Sequence, residues 1–404
     1  MTALRAGLGN RGLVALLSIA SVLGMLGSSS FSALLPEFQS AWGLSNTEAG
    51  WISGIYFGGY VAGVPVLVGA TDRIDARRVY VVSLAIGAAA SIGYALFADG
   101  FLSALGFRAL AGLGLAGTYM PGLKLMTDRI GQHPRQGRYV AYYTAGFSLG
   151  TAASFAFTAE LAQWFGWRWA FGGAAIGACA ALLLILALVP PAPAVPEPQE
   201  ATRRILDFRP VFANRAALRF ILGYTGHTWE LFAMRSWLVA FLIYAQGVHG
   251  ESPNISRASW IAMMIVLVST ASSIYGAEAA SRSDRGAVIG RVMVLSVIAA
   301  AVTGFSAPLP IAAVVMLCLI YHLLIMADSA ALTGGAVATS LPGQRGATLA
   351  VHSILGFGGG FLGPLAVGLV LDLMGGGASN LAWGAAFLAM GAGSAAAYVA
   401  IRKL

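Results

Sequence analysis

Ionisable side chains interrupt stretches that are otherwise apolar, among them Arg108, His227, Glu230, His322 and Asp328. An ionisable group in hydrocarbon is costly, so each should face a wet cavity or a partner. The chemistry open to them is binding and proton transfer. A guanidinium matches carboxylate or phosphate oxygens, and a histidine beside a carboxylate can hold or release a proton. His227 and Glu230 stand three residues apart and share a helical face. Structural readings stand beside these: an ion pair or a kink-stabilising hydrogen bond for Arg108 and Glu230, an interhelical hydrogen bond for His227, packing for His322. Asp328, nearer the end of its segment, reads as a gate or a helix cap. His352 is a weaker cavity candidate, Arg235 reads as a snorkelling side chain, and Lys124, Glu160 and Asp372 sit at segment ends where snorkelling is the default.

Other chemistries lack their residues. No phosphate-cradling loop leads into Lys-Ser or Lys-Thr, and no nucleophile, base and orienting group stand together. The histidines are scattered without metal-ligand spacing. Neither an enzyme, a cofactor nor a metal is expected. Cys179 and Cys318 lie in apolar segments and read as small core residues. The net charge of +8 comes without a basic patch interleaved with aromatics, so nucleic acid is not an expected partner.

The elements that must position these residues are membrane helices. Of 404 residues, 58% are hydrophobic and 10% charged, where soluble domains carry about 25% charged residues. A span needs about 20 apolar residues, and twelve can be read along the chain. The first runs from Gly12 to Leu35 and reads as a retained helix rather than a signal peptide. A second ends near Ala70, and others follow over Val79–Phe97, Phe101–Met126 and Tyr139–Ala162, with the sixth ending near Val189. The proline-rich, charged stretch Pro190–Pro210 is a linker. The second set runs over Ala216–Tyr244, Ala258–Ala280, Gly286–Phe305, Leu309–Ala336, Gly346–Met374 and Leu381–Ile401. The expected domains are therefore an N-terminal half over 1–189, a linker over 190–215 and a C-terminal half over 216–404. With both termini cytoplasmic, all but four of the 24 Lys+Arg residues fall on cytoplasmic ends and loops; Arg168 and Arg257 lie outside, and Arg108 and Arg235 lie within spans.

The halves repeat. An offset of 209 lays Ala49-Gly50-Trp51-Ile52 on Ala258-Ser259-Trp260-Ile261, Arg73 on Arg282 and Asp75 on Asp284. Offsets of 208 and 210 lay Pro134 on Pro342 and Gly146-Phe147 on Gly356-Phe357. Two six-helix halves of parallel topology point to a secondary transporter with its site near the midplane.

The turn bearing Asp72, Arg73, Arg77 and Arg78 resembles the signature loop of the major facilitator superfamily, although the first glycine of that motif falls at Val68 and the second is replaced by Asp75. Arg108, Gly112 and Gly114 resemble its second motif. Gly146, Gly150 and Ser154 resemble in part the glycine–proline motif of proton-linked exporters, without the proline; a fuller version, with Gly356, Gly360, Gly363-Pro364 and Gly368, lies in the eleventh span. The resemblance covers nearly the whole chain. It implies an all-α membrane protein of 12 transmembrane helices in two pseudo-symmetric six-helix bundles, with spans 4, 7 and 10 lining a central cavity. It also implies alternating access, with the turns at Asp72, Arg73, Arg77 and Arg78 and at Arg282, Asp284 and Arg285 acting as gates, and Gly112, Gly146, Gly150, Gly356 and Gly360 packing helices. The expected function is transport of a small solute. Arg108, His227 and His322 outnumber Glu230, which favours a small organic anion moved with a proton or by exchange. Glu230 could instead read a cationic or drug-like compound for efflux, a uniporter is open, and a non-transporting receptor or scaffold is the alternative from another class. The expected partners are a small molecule, protons and the lipid bilayer, around a monomer in the plasma membrane of a bacterium.

Overall fold

The computed structural model describes residues 9–192 and 208–403. Most of the expected linker lies outside the described residues. The described chain is built of α-helices: α1 (Asn10–Gly24), α2 (Ser30–Ala33), α3 (Leu35–Trp42), α4 (Asn46–Ala70), α5 (Ala76–Phe97), α6 (Phe101–Ile130), α7 (Gln136–Phe165) and α8 (Trp167–Leu188), then α9 (Arg209–Ala213), α10 (Arg215–Val248), α11 (Ile255–Arg282), α12 (Arg285–Gly304), α13 (Ile311–Ala327), α14 (Ser329–Ala338), α15 (Arg345–Leu373) and α16 (Asn380–Lys403). Short Asx side chains start several of them. Asp75, Asn214, Asn254 and Asp284 each accept a backbone N–H from the first turn of the following helix, satisfying a donor with no intrahelical partner.

Ten spans among the described residues are long and apolar enough to cross a membrane, α13 and α14 counting as one. Three of the twelve expected spans differ in form. The first is broken: α1 stops at Gly24, and residues 25–29 turn before α2 begins. Glycine and serine crowd that stretch (Gly24, Gly27, Ser28, Ser29 and Ser30), and both disfavour a helix interior. The fifth forms as α7, a 30-residue helix, but its tyrosines, threonines and serines keep it out of the ten. The tenth breaks at Asp328, just beyond the point where α11 comes closest. A Cβ on Gly276 would overlap the Ala327 carbonyl oxygen.

Two compact units emerge: Met1–Phe31 with Gly58–Glu197, and Ser32–Phe57 with Pro198–Leu404. The N-terminal unit packs α1, α5, α6, α7 and α8 around Leu17, Tyr80, Leu84, Met126, Tyr143 and Ile185. Gly146 and Gly150 of α7 face α1, where a Cβ on Gly150 would lie 2.8 Å from that of Met25; Gly112 is buried on α6. The C-terminal unit has a cluster around Phe220, Ile221, Met293, Leu332 and Ile401. Gly356 and Gly360 lie against the rings of Tyr224 and Phe232.

The C-terminal unit also takes in α3 and the first half of α4. Gly54 approaches α15 so closely that a Cβ would overlap the Phe361 carbonyl oxygen. Asp372, expected only to snorkel, clasps the start of α4. One oxygen accepts from the Asn46 backbone N–H (3.0 Å) and side-chain amide (2.8 Å), the other from the Thr47 N–H (2.7 Å) and hydroxyl (2.6 Å). A carboxylate at a helix N-terminus meets unpaired N–H groups and the positive end of the helix dipole.

Candidate functional site

The axis of the C-terminal unit is α10. Its most apolar window is 78% buried, against 28–50% for the other spans. Polar side chains on it therefore meet neighbouring helices rather than lipid. Three ionisable side chains on it are buried: His227 and Glu230, each 1% exposed, and Arg235, 6% exposed.

His227 and Glu230 share a helical face, yet no ion pair within 4 Å joins them. His227 turns to Asp328, whose Oδ1 lies 2.7 Å from its Nδ1. The contact is an electrostatic approach and not an aligned hydrogen bond, since neither atom has a hydrogen-bond partner among the described residues. His227 Nε2 likewise has none. Asp328 is 3% exposed, so the gate or cap expected near an interface is a buried group facing a histidine. It marks the junction of α13 and α14, where its side chain makes no cap hydrogen bond. Tyr224, one helical turn before His227, stacks on it at 5.5 Å and on His352 at 3.9 Å. His352 Nε2 reaches the Thr333 hydroxyl at 3.2 Å.

Glu230 is enclosed by hydroxyls. Ser296 of α12 (3.0 Å) and Tyr321 of α13 (2.9 Å) donate to Oε1, and Ser394 of α16 donates to Oε2. Three helices thus each give a hydrogen bond to one buried carboxyl group.

Arg235 and His322 form the third group. The Arg235 Nε–H donates to His322 Nε2 at 3.3 Å, so that nitrogen carries the lone pair. His322 Nδ1 then carries the proton and donates to Ser269 Oγ at 2.6 Å, while the Ser269 hydroxyl donates to the Val266 carbonyl. His322 is held as the neutral tautomer. Arg235, read from sequence as a snorkelling side chain, is buried in this cluster and not extended to an interface. Tyr224, Ser269, Ser296, Tyr321 and Ser394 had no signal in the sequence, since hydroxyls on membrane helices are common and only the fold shows which face a charge.

Arg108 is placed in the N-terminal unit, and its geometry differs from that of an anion-reading side chain. Its guanidinium donates to the carbonyls of Gly27 (3.2 Å) and Ser28 (3.1 Å), in the turn that breaks the first span. The Ser154 hydroxyl donates to the Leu26 carbonyl at 2.7 Å, the Ser29 N–H donates to Ser154 Oγ at 3.0 Å, and Ser30 and Thr158 share a hydrogen bond of 2.7 Å. Arg108 and α7 together satisfy the backbone that the break leaves unpaired.

The two charged turns resemble each other locally and differ in their anchoring. Asp75 caps α5 and also accepts from the Arg129 guanidinium (2.9 and 3.1 Å) and the Ala192 N–H (2.8 Å). The Arg77 guanidinium donates to the carbonyls of Val189 and Leu186 at the end of α8. Asp72 is half-buried, and Arg73 and Arg78 are exposed. At the second turn Asp284 caps α12 (2.6 Å), Arg282 pairs with Glu278 on the surface of α11, and Asp284 itself is exposed.

Comparison with known proteins agrees with this architecture. The model of the Major Facilitator Superfamily matches residues 17–339. The niacin transporter NiaP of Acinetobacter baylyi is 32% identical over 130 residues, 32% of this chain and 29% of that protein. A probable 4-methylmuconolactone transporter of Cupriavidus pinatubonensis is 29% identical over 163 residues, 38% of this chain and 36% of that protein. The chain thus spans less than two fifths of the length of either relative. Among solved structures, a bacterial homologue of the human lysosomal transporter Spinster superposes with a TM-score of 0.76 at 17% identity, over 97% of both chains. A D-xylose–proton symporter superposes at 0.75 and 12% identity, over 96% of both.

Proposed function

Since the chain belongs to the Major Facilitator Superfamily, we propose that it moves a small organic anion together with a proton by alternating access. The observation that carries the proton is the pair of His227 and Asp328: a histidine 2.7 Å from a carboxylate, both buried, with the other ring nitrogen unpartnered among the described residues. A buried polar atom without a protein partner is open to one that comes and goes. A proton bound with an anion leaves the loaded site no more charged than the empty one, which spares the anion's uncompensated desolvation. Relatives named for niacin and 4-methylmuconolactone support a small organic solute. Efflux of a cationic or drug-like compound is the second reading, with Glu230 as its anchor; the three hydroxyls already on that carboxylate count against it.

The proposal includes twelve membrane crossings, both termini in the cytoplasm and a monomer in a bacterial inner membrane. The distribution of Lys and Arg supports the orientation. The turns at Asp72, Arg73, Arg77 and Arg78 and at Arg282, Asp284 and Arg285 serve as gates in this reading. Counterflow in proteoliposomes, with niacin, 4-methylmuconolactone and a panel of carboxylates, tests it. Exchange of at least one of these across the membrane supports transport. Binding without flux for every one of them identifies a receptor and overturns it.

A further inference from the structure

A second cluster of charge belongs to other helices than α10. In the N-terminal unit, Arg11, Arg135 and Arg138 line a pocket of about 500 Å³ with Val14, Ala15, Ser18, Tyr139 and Tyr142. All three arginines are exposed, and no carboxylate lies within ion-pairing distance of any of them among the described residues. Loop arginines at a cytoplasmic face follow the positive-inside rule, but that rule does not make three of them converge on one concavity.

Their position on the helices sharpens the point. Arg11 is in the first turn of α1, Arg138 is in the first turn of α7, and Arg135 is the residue preceding α7. The N-terminus of a helix carries the positive end of its dipole and favours acidic side chains. Neither first turn contains an acid, and neither N-cap makes a side-chain hydrogen bond. Three guanidiniums at two helix starts therefore direct positive potential into one pocket, an arrangement that favours an anion there.

We propose that this pocket binds an anion through carboxylate or phosphate oxygens. Guanidinium forks match such oxygens in bidentate geometry, and the Tyr139 and Tyr142 side chains that line the pocket bring aromatic surface beside the charge. The oxygens come from a free anion or from the head of an anionic phospholipid, for which basic pockets between helices on the cytoplasmic side are suited.

The test uses the full-length protein in two kinds of nanodisc, one of phosphatidylcholine alone and one with added phosphatidylglycerol. Thermal unfolding is followed with sodium phosphate or sodium benzoate against sodium chloride at equal ionic strength. Stabilisation by phosphate or benzoate in neutral nanodiscs identifies a free anion. Stabilisation only with phosphatidylglycerol identifies the lipid head. Each of R11Q, R135Q and R138Q should weaken the responsive anion about tenfold, the loss of one charge-assisted contact, and R291Q, outside the pocket, should leave it unchanged. These are surface changes, so each variant should fold. Absence of any anion-dependent stabilisation, or equal stabilisation in wild type and all three variants, overturns the proposal.

Discussion

At the residue scale, the decisive feature is that charges sharing one helix have separate partners. His227 faces Asp328, Glu230 faces three hydroxyls, and Arg235 faces His322. Removing one member of a buried pair leaves the other uncompensated. H227N and D328N should each lower stability by about 3 kcal/mol, while the double variant should lose less than their sum. Unfolding of the four proteins in detergent measures the coupling, and strict additivity would show that the pair does not interact. Glu230 gives a second contrast. E230Q keeps an acceptor for the hydroxyls and should remain close to wild type, whereas E230A strands the Ser296, Tyr321 and Ser394 hydroxyls and should cost about 3 kcal/mol. Equal stability of the two variants would contradict the enclosure. The sequence marked His227, Glu230, His322 and Asp328, because ionisable residues stand out in apolar segments. It could not pair them: spacing along α10 joins His227 to Glu230, and only the placement of α13 brings Asp328 to the histidine instead.

At the scale of elements, breaks and turns matter more than helix number. Periodicity and hydropathy located the helices well, since an apolar run bounded by proline, glycine or charge has few other readings. They passed over the break in the first span, because Gly24 to Ser30 is apolar or small enough to read as helix. Arg108 carries the consequence. R108A removes two hydrogen bonds from the half-buried carbonyls of Gly27 and Ser28 and should cost about 3 kcal/mol. Hydrogen exchange at residues 25–30 should rise in that variant; unchanged protection there would return Arg108 to the role of anion reader that its position first suggested. The charged turns give a paired comparison. D284A removes a cap and should cost about 1 kcal/mol, whereas D75A removes a cap together with the Arg129 ion pair and should cost two to three times as much. Thermal unfolding of both variants ranks them, and equal losses would show that Arg129 adds nothing. The repeat made the two aspartates legible as equivalents. It could not show that one is anchored by Arg129 and Ala192, because Arg129 has no counterpart at the repeat offset.

At the scale of the molecule, the Major Facilitator Superfamily fold follows from composition, the internal repeat and the signature turn, and the family match agrees with it. What the protein carries was least legible. The count of basic over acidic groups near the midplane favoured an anion, yet the structure commits Arg108 to backbone carbonyls and holds His322 neutral. The proposal therefore rests on His227, the buried histidine with a carboxylate on one nitrogen and no partner on the other among the described residues. Proton movement coupled to solute is the most direct measurement. Proteoliposomes containing a pH-sensitive dye are given an inward solute gradient of whichever anion shows counterflow. Wild type should acidify the lumen as solute enters, and H227N should lose at least about tenfold of that proton flux while solute exchange persists. Solute entry without lumenal acidification, or undiminished proton flux in H227N, would contradict proton coupling at the His227–Asp328 pair.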